Sequence, residues 1–390
     1  MRSRHKLLAL ALSLALLLSL AVPVCAAETT TSTTKDLTGH IVILYTNDVH
    51  GGIAGYGKVH ALRESYNAAG AYTLLVDAGD FIQGDPTVSA SKGETAIEIM
   101  NSARYNYFVP GNHEFDYGYA NLQTIMKDAK FKVVCNIKYN GKLAFDASYV
   151  VETKGGLKVG FLGLTTPETS TKAHPAKIKG VTFMAQNALY SFATQEAADL
   201  KADGSDVVIA LTHLGVDPES KPNRSTDLYA NAKGIDFIID GHSHTVMTKG
   251  EKGEPIQSTG TAFKNIGVIV IDDASKKIES NSLYEIKEDT AKDATVAAAA
   301  KVIVDRVNNE YGTKFATSKV ELNGAKAPNG NRDVETNNGD LITDAMRWKV
   351  LQNKDGLTVN EDHVVAITNG GGIRAAIKVG DVTKKDIKTV

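Results

Sequence analysis

Residues 40–51 read HIVILYTNDVHG. A short apolar run rich in β-branched side chains stops at a carboxylate and an imidazole two positions apart, Asp48 and His50. Such a run reads as a buried strand rather than a helix, and the same design recurs. AYTLLVDAGD (71–80), FKVVCNI (131–137), KVGFLGLTT (158–166), SDVVIALTH (205–213), IDFIIDGH (235–242) and NIGVIVIDD (265–273) are all strand-like. Amphipathic helical stretches such as 121–129 and 187–203 lie between several of them. The alternation predicts an α/β fold with a largely buried sheet, whose strand ends carry the chemistry, as ligands in open α/β sheets sit outside the carboxyl ends of strands.

The flanks are organised differently. MRSRHK, then the apolar run 7–22, then PVCAAE has the order of a secretory signal peptide, with cleavage expected near Ala26 or Ala27. The apolar run is short for a spanning helix, which needs about 20 residues, so an exported protein without a transmembrane segment after cleavage is expected. A polar leader covers 28–38 and the strand-bearing unit 39–289. Residues 290–313 read as one linker helix, capped by Asp293, striped by Val296, Ala299, Ala300, Ile303 and Val307, and stopped at Gly312. A second unit, 314–390, holds RDVETNNGD and NGGGIR.

Composition narrows the function. With 43% apolar residues, 23% charged and a formal net charge of -2, the chain has no bulk basic field for a nucleic-acid polymer. Of two cysteines, cleavage removes Cys25 and leaves Cys135 alone as a buried small side chain, so no disulfide is expected. The chain has no G-x-S-x-G elbow and no Walker A loop, and GYGKVH fails the dinucleotide fingerprint at its third glycine. His5, His40, His60, His174 and His363 stand outside any cluster, and Trp348 reads as core of its helix.

Five clusters remain, each just after a strand run: Asp48 with His50, Asp80, then Asn112, His113 and Asp116, then His213, then His242 with His244. Side chains two apart at a strand end share a side, so Asp48 with His50, and His242 with His244, can each present two ligands to one point. Mixed imidazole and carboxylate suits zinc, manganese, iron or cobalt better than magnesium or calcium. Asp48, His50, Asp80, Asn112, His213, His242 and His244 are too many for one tetrahedral ion, so two divalent ions are expected, with Asp80 as the natural bridge. Two such ions against two aspartates leave about two positive charges, a match for a phosphate monoester dianion, and a pair about 4 Å apart can activate water and clamp a phosphoryl displacement. Asn112 and His113 diverge on an extended backbone, which frees His113 for proton transfer, with Asp116, three residues on, orienting it.

The blocks NDVHG, GD, GNHEFDYG, LTHLG and DGHSHT resemble, in order and spacing across residues 40–270, the secreted 5′-nucleotidase and UDP-sugar hydrolase family of calcineurin-like metallophosphoesterases. The resemblance implies a four-layer αββα sandwich, a linker helix and an incomplete C-terminal α/β substrate domain. It implies a first metal site on Asp48, His50, Asp80 and His244, a second on Asp80, Asn112, His213 and His242, and a catalytic dyad of His113 and Asp116. Arg332, Asn369 and Arg374 fall at nucleotide-contacting positions, although Arg332 reads equally well as a solvated loop charge. The implied activity is phosphate release from nucleoside 5′-monophosphates, and nucleotide sugars or di- and triphosphates are further substrates. The alternatives are a 2′,3′-cyclic-nucleotide 2′-phosphodiesterase and 3′-nucleotidase, whose branch often carries Asn where Asp116 stands, or a surface metal-binding module whose catalysis has lapsed. The family's aromatic base-stacking pair lies downstream of NGGGIR, beyond residue 390, so the chain reads as part of a longer protein.

Overall fold

The structure, a computed structural model, describes residues 36–325, 328–353 and 356–390. The proposed signal peptide and almost all of the polar leader lie outside the described residues. Twelve strands build two six-stranded sheets: β1 His40–Thr46, β2 Tyr72–Asp77, β3 Tyr107–Phe108, β4 Lys132–Val133, β5 Ser148–Glu152, β6 Lys158–Thr165, β7 Val207–His213, β8 Phe237–Ile239, β9 Val246–Met247, β10 Ile256–Thr259, β11 Asn265–Asp272 and β12 Lys277–Glu285. The first sheet runs β12-β11-β1-β2-β3-β4 and the second β9-β10-β8-β7-β6-β5. Strands β1 to β4 pair in parallel, as do β6, β7, β8 and β10. Their carboxyl ends therefore lie on one edge of each sheet.

Alternation along the strands explains the near-continuous apolar runs. Ile41, Ile43 and Tyr45 of β1 and Val207, Ile209 and Leu211 of β7 share one core between the two sheets. Their neighbours Val42 and Leu44 face a second core with α1, Tyr56–Ala68, and α2, Glu94–Ser102. Val208 and Ala210 face a third, against Leu189, Ala193 and Ala197 of α3, Gln186–Ala202. Both faces of each central strand are thus covered, which requires apolar residues at every position, and the layers stack as helix, sheet, sheet, helix.

One strand expectation shrinks: within FKVVCNI only Lys132 and Val133 pair in the sheet. Beyond them Val134 bridges to Asp146, and the chain crosses so close to β6 that a Cβ at Gly163 would sit 2.1 Å from the Val134 carbonyl oxygen. Cys135 is buried with a free thiol, its Sγ 2.9 Å from Thr165 Oγ1.

The linker helix, α4, spans Ala294–Tyr311 and is capped by the Asp293 carboxylate, which accepts from Val296 N at 2.8 Å. Val296, Ala300 and Ile303 enter the same core as β1 and α1, so the helix covers the first sheet as well as leading onward. Beyond it, β13 Lys314–Ser318 pairs antiparallel with β14 Gly380–Thr383, and α5 spans Asn337–Leu351. Trp348 of α5 is 62% exposed, against the expectation of a core residue. No described helix is long and apolar enough to cross a membrane.

Candidate metal centre and active site

The loops that leave β1 and β2 are stitched together by backbone: Asp48 N donates to Gly79 O at 2.9 Å and His50 N to Asp80 O at 3.1 Å. Asn47 anchors the first loop by donating to Gly260 O and accepting from Thr259 N. Within these turns Asp48, His50, Asp80, His242 and His244 all adopt left-handed backbone, with φ between 44° and 76°. Each such residue costs about 1–3 kcal/mol, a strain that concentrates at functional sites. It also corrects the strand-end argument. His242 and His244 do not meet at one point: ligand atoms of His244 gather with Asp48 and His50, whereas those of His242 gather with Asp80 and His213. Turned backbone, unlike extended strand, does not keep residues two apart on one side.

The two groups are adjacent, with His213 Nε2 3.9 Å from Asp48 Oδ1. Three imidazoles are pinned through one ring nitrogen. His50 Nδ1 donates to Gln83 O at 3.2 Å, His213 Nδ1 to Ala78 O at 2.5 Å, and His242 Nε2 lies 3.1 Å from Glu168 Oε2. The free Nε2 atoms of His50 and His213 point inward. His50 Nε2 and His244 Nε2 face one another at 3.1 Å, with Asp48 Oδ1 3.3 Å from the latter. Asp48 Oδ1, Asn112 Oδ1 and His213 Nε2 are buried without a hydrogen-bond partner. Side-chain atoms would invade this space from either side: a Cβ at Gly111 would lie 2.2 Å from Asp80 Oδ1, and one at Gly241 2.9 Å from Asp48 Oδ2. Orphaned carboxylate, amide and imidazole atoms converging at full burial are the donor set of a transition-metal centre, and the residues fit two such ions.

Electrostatics shows what the protein does without the ions. Burial disfavours a charged His213, but Asp80 and Asp48 outweigh it and lift its pKa to about 10. The imidazolium then serves as the cation between the carboxylates. His50 goes the other way: burial pushes it down to about 4, leaving a neutral ring with a lone pair to offer. A neutral ring is the form that binds metal.

His113 stands beside the ligand groups, its ring centroid 5.3 Å from that of His50. Its backbone N donates to Asp80 Oδ1 at 2.9 Å, and its Nδ1 lies 2.6 Å from Asp116 Oδ2 across a short 3-10 turn, His113–Phe115. Burial opposes its charge, but Asp80 and Asp116 prevail and raise its pKa. Its Nε2 is 3.4 Å from Nη2 of Arg374, which reaches over from the C-terminal segment. Arg332 and Asn369 gather elsewhere on that segment, around a 3-10 turn at Gly370–Gly372: a Cβ at Gly371 would lie 3.5 Å from Arg332 Nη2 and 3.3 Å from Asn369 Nδ2. Both are exposed. Of the histidines set aside earlier, His40 pairs with Asp272 and Glu279 at the far end of β1 from Asp48.

Two carboxylates escaped the sequence reading. Glu114, inside the GNHEFD block, is fully buried and accepts from Asp80 N, Phe81 N, Ile82 N and Gly111 N at 2.7–3.3 Å, tying the two ligand loops together. Burial, followed by the nearby charge of Asp80, raises its pKa to about 7. Glu168 follows β6 at the carboxyl end of that strand, the same position that marked the other clusters, and is held well below the usual carboxylate range by His242 and Lys172. Position was the available signal for Glu168. For Glu114 it was a charged residue between two site residues.

The calcineurin-like phosphoesterase family profile matches residues 41–246, slightly more than half of the chain. The chain belongs to that family. Residues 314–390 match the 5′-nucleotidase C-terminal domain, and the protein is a hydrolase of the metallophosphoesterase type. It is 28% identical to a snake venom 5′-nucleotidase of Crotalus adamanteus over 94% of this chain and 68% of that one. It is also 28% identical to a 5′-nucleotidase of Homo sapiens, over 86% of this chain and 64% of that one. The crystal structure of a 5′-nucleotidase precursor from Thermus thermophilus superposes with a TM-score of 0.70 at 26% identity, covering 90% of this chain and 73% of its own. The phosphoesterase thus spans about two thirds of the length of these relatives.

Proposed function

We propose that this phosphoesterase releases phosphate from nucleoside 5′-monophosphates, using two divalent transition-metal ions held by Asp48, His50, Asp80, Asn112, His213, His242 and His244. Nucleotide sugars and nucleoside di- or triphosphates are candidate further substrates. When bound, the ions supply positive charge for the phosphoryl oxygens and acidify a water nucleophile.

The observation that carries the reading is the arrangement around His113. Asp116 accepts the Nδ1 proton at 2.6 Å and so turns Nε2 toward the space that Arg374 enters at 3.4 Å. The guanidinium presents N–H to Nε2, and the imidazolium form that the raised pKa favours carries a proton there as well. In that form the two are converging donors that suit one anionic oxygen. His113 then stabilises charge on the phosphoryl group or passes a proton to the leaving oxygen, and Arg374 links that event to the C-terminal segment. Arg332 and Asn369, together at the glycine-rich turn, are proposed to contact the nucleoside. The names of the relatives favour the same substrate class.

The test is phosphate release by metal-loaded protein offered AMP, 2′,3′-cyclic AMP and an aryl phosphate. Turnover of AMP with phosphate as product is expected. Turnover of the cyclic nucleotide alone would assign the chain to the phosphodiesterase branch instead. We infer export from the N-terminal pattern, and a relative named for venom is consistent with it. Sequencing the N-terminus of the mature protein should find it just after Ala26 or Ala27.

A further inference from the structure

Between the strand β6 and the metal-ligand groups, three side chains meet around one imidazole nitrogen. Glu168 Oε2 lies 3.1 Å from His242 Nε2 and 2.7 Å from Lys172 Nζ. Lys172 Nζ is itself 3.1 Å from the same His242 Nε2. The short helix Thr169–Lys172, which starts directly after Glu168, brings the lysine one turn on. The His242 ring is buried, with 5% of its side chain exposed.

We propose that Glu168 is a positioning residue that selects the tautomer of His242 and so makes its Nδ1 available to the group formed with Asp80 and His213. This role for Glu168 rests on the two-metal reading above. A carboxylate only accepts, so the Glu168 contact places the proton on Nε2 and leaves the Nδ1 lone pair free. An ammonium only donates. Were Lys172 the sole partner, it would donate to Nε2 and drive the proton to Nδ1, which blocks that atom as a ligand. The two neighbours of Nε2 thus favour opposite tautomers, and Glu168 decides between them while also occupying Lys172. Ligating histidines elsewhere are commonly fixed by a carboxylate on the far nitrogen, and its loss typically costs 10–100-fold in metal affinity.

The experiment titrates metal-free protein with zinc alone, by calorimetry, and records the melting temperature of the metal-free form. Wild type should bind two ions. Glu168→Ala should weaken one of them by about 10–100-fold, leave the other nearly unchanged, and melt close to wild type without metal. The double variant E168A/K172M should recover most of the lost affinity, because the opposing donor is gone. Wild-type affinity at both sites in Glu168→Ala would overturn the proposal alone. So would equal loss at both sites with a lower metal-free melting temperature, or a double variant no better than the single one. Failure of wild type to bind two ions would instead overturn the two-metal reading, and this proposal with it.

Discussion

At the scale of single residues, the centre is governed by where protons sit. Glu114 accepts four backbone N–H groups with no solvent exposure. Glu114→Gln keeps the shape but turns an amide NH₂ toward N–H donors, and a buried unsatisfied group costs about 1–3 kcal/mol each. Urea denaturation of the metal-free protein should show a loss of about 2–4 kcal/mol; an unchanged midpoint would mean that the loops hold themselves. His213 supplies a pH signature. Its folded pKa of about 10 lies above the ordinary 6.5, so its charge stabilises the metal-free fold fully below pH 6.5. That contribution disappears as pH rises toward 10. The melting temperature of metal-free protein should therefore fall across that window. Zinc requires the neutral ring, so uptake near neutral pH should expel a proton, seen as a binding heat that depends on the buffer's protonation enthalpy. A heat independent of buffer would contradict the assignment.

At the scale of elements, the site is where parallel strands end and loops turn sharply. Gly111→Ala places a methyl 2.2 Å from Asp80 Oδ1 and 2.7 Å from His213 Nε2. It should abolish metal binding while leaving far-ultraviolet circular dichroism intact; normal zinc content would refute the close packing there. The α4 helix makes the complementary case, because Ile303 is wholly buried in the core shared with β1. Ile303→Ala should cost about 2–5 kcal/mol in thermal or chemical unfolding, whereas a freely bridging linker would lose almost nothing. These elements also show what a single sequence can tell. The five clusters were legible because each polar residue follows a run that both cores require to be apolar. The left-handed turns at His242 and His244 were not, since they depend on contacts with loops far along the chain. Glu168 meets His242 across 74 positions, and no local pattern records that. Cys135 was read correctly as buried, but its segment leaves the sheet after Val133, because burial alone does not distinguish strand from crossing loop. Trp348 fails in the opposite direction: apolar character does not guarantee burial.

At the scale of the whole molecule, the strand-end edge that carries the candidate site meets the C-terminal segment where Arg374 approaches His113. Hydrogen bonds to charged groups contribute about 1.5–3 kcal/mol. Arg374→Ala should accordingly raise KM for AMP by about 10–100-fold, with metal content unchanged, and equal kinetics in both proteins would remove the C-terminal segment from the substrate site. In the proposed division of labour the ligand groups hold metal while His113 acts on the substrate. One paired measurement tests it: zinc or manganese content by elemental analysis alongside AMP turnover, in wild type and in His113→Ala. Two ions per chain are expected in both proteins, with turnover lower by about 10²–10⁴ in the variant. Loss of an ion in His113→Ala, or undiminished turnover with both ions present, would contradict it.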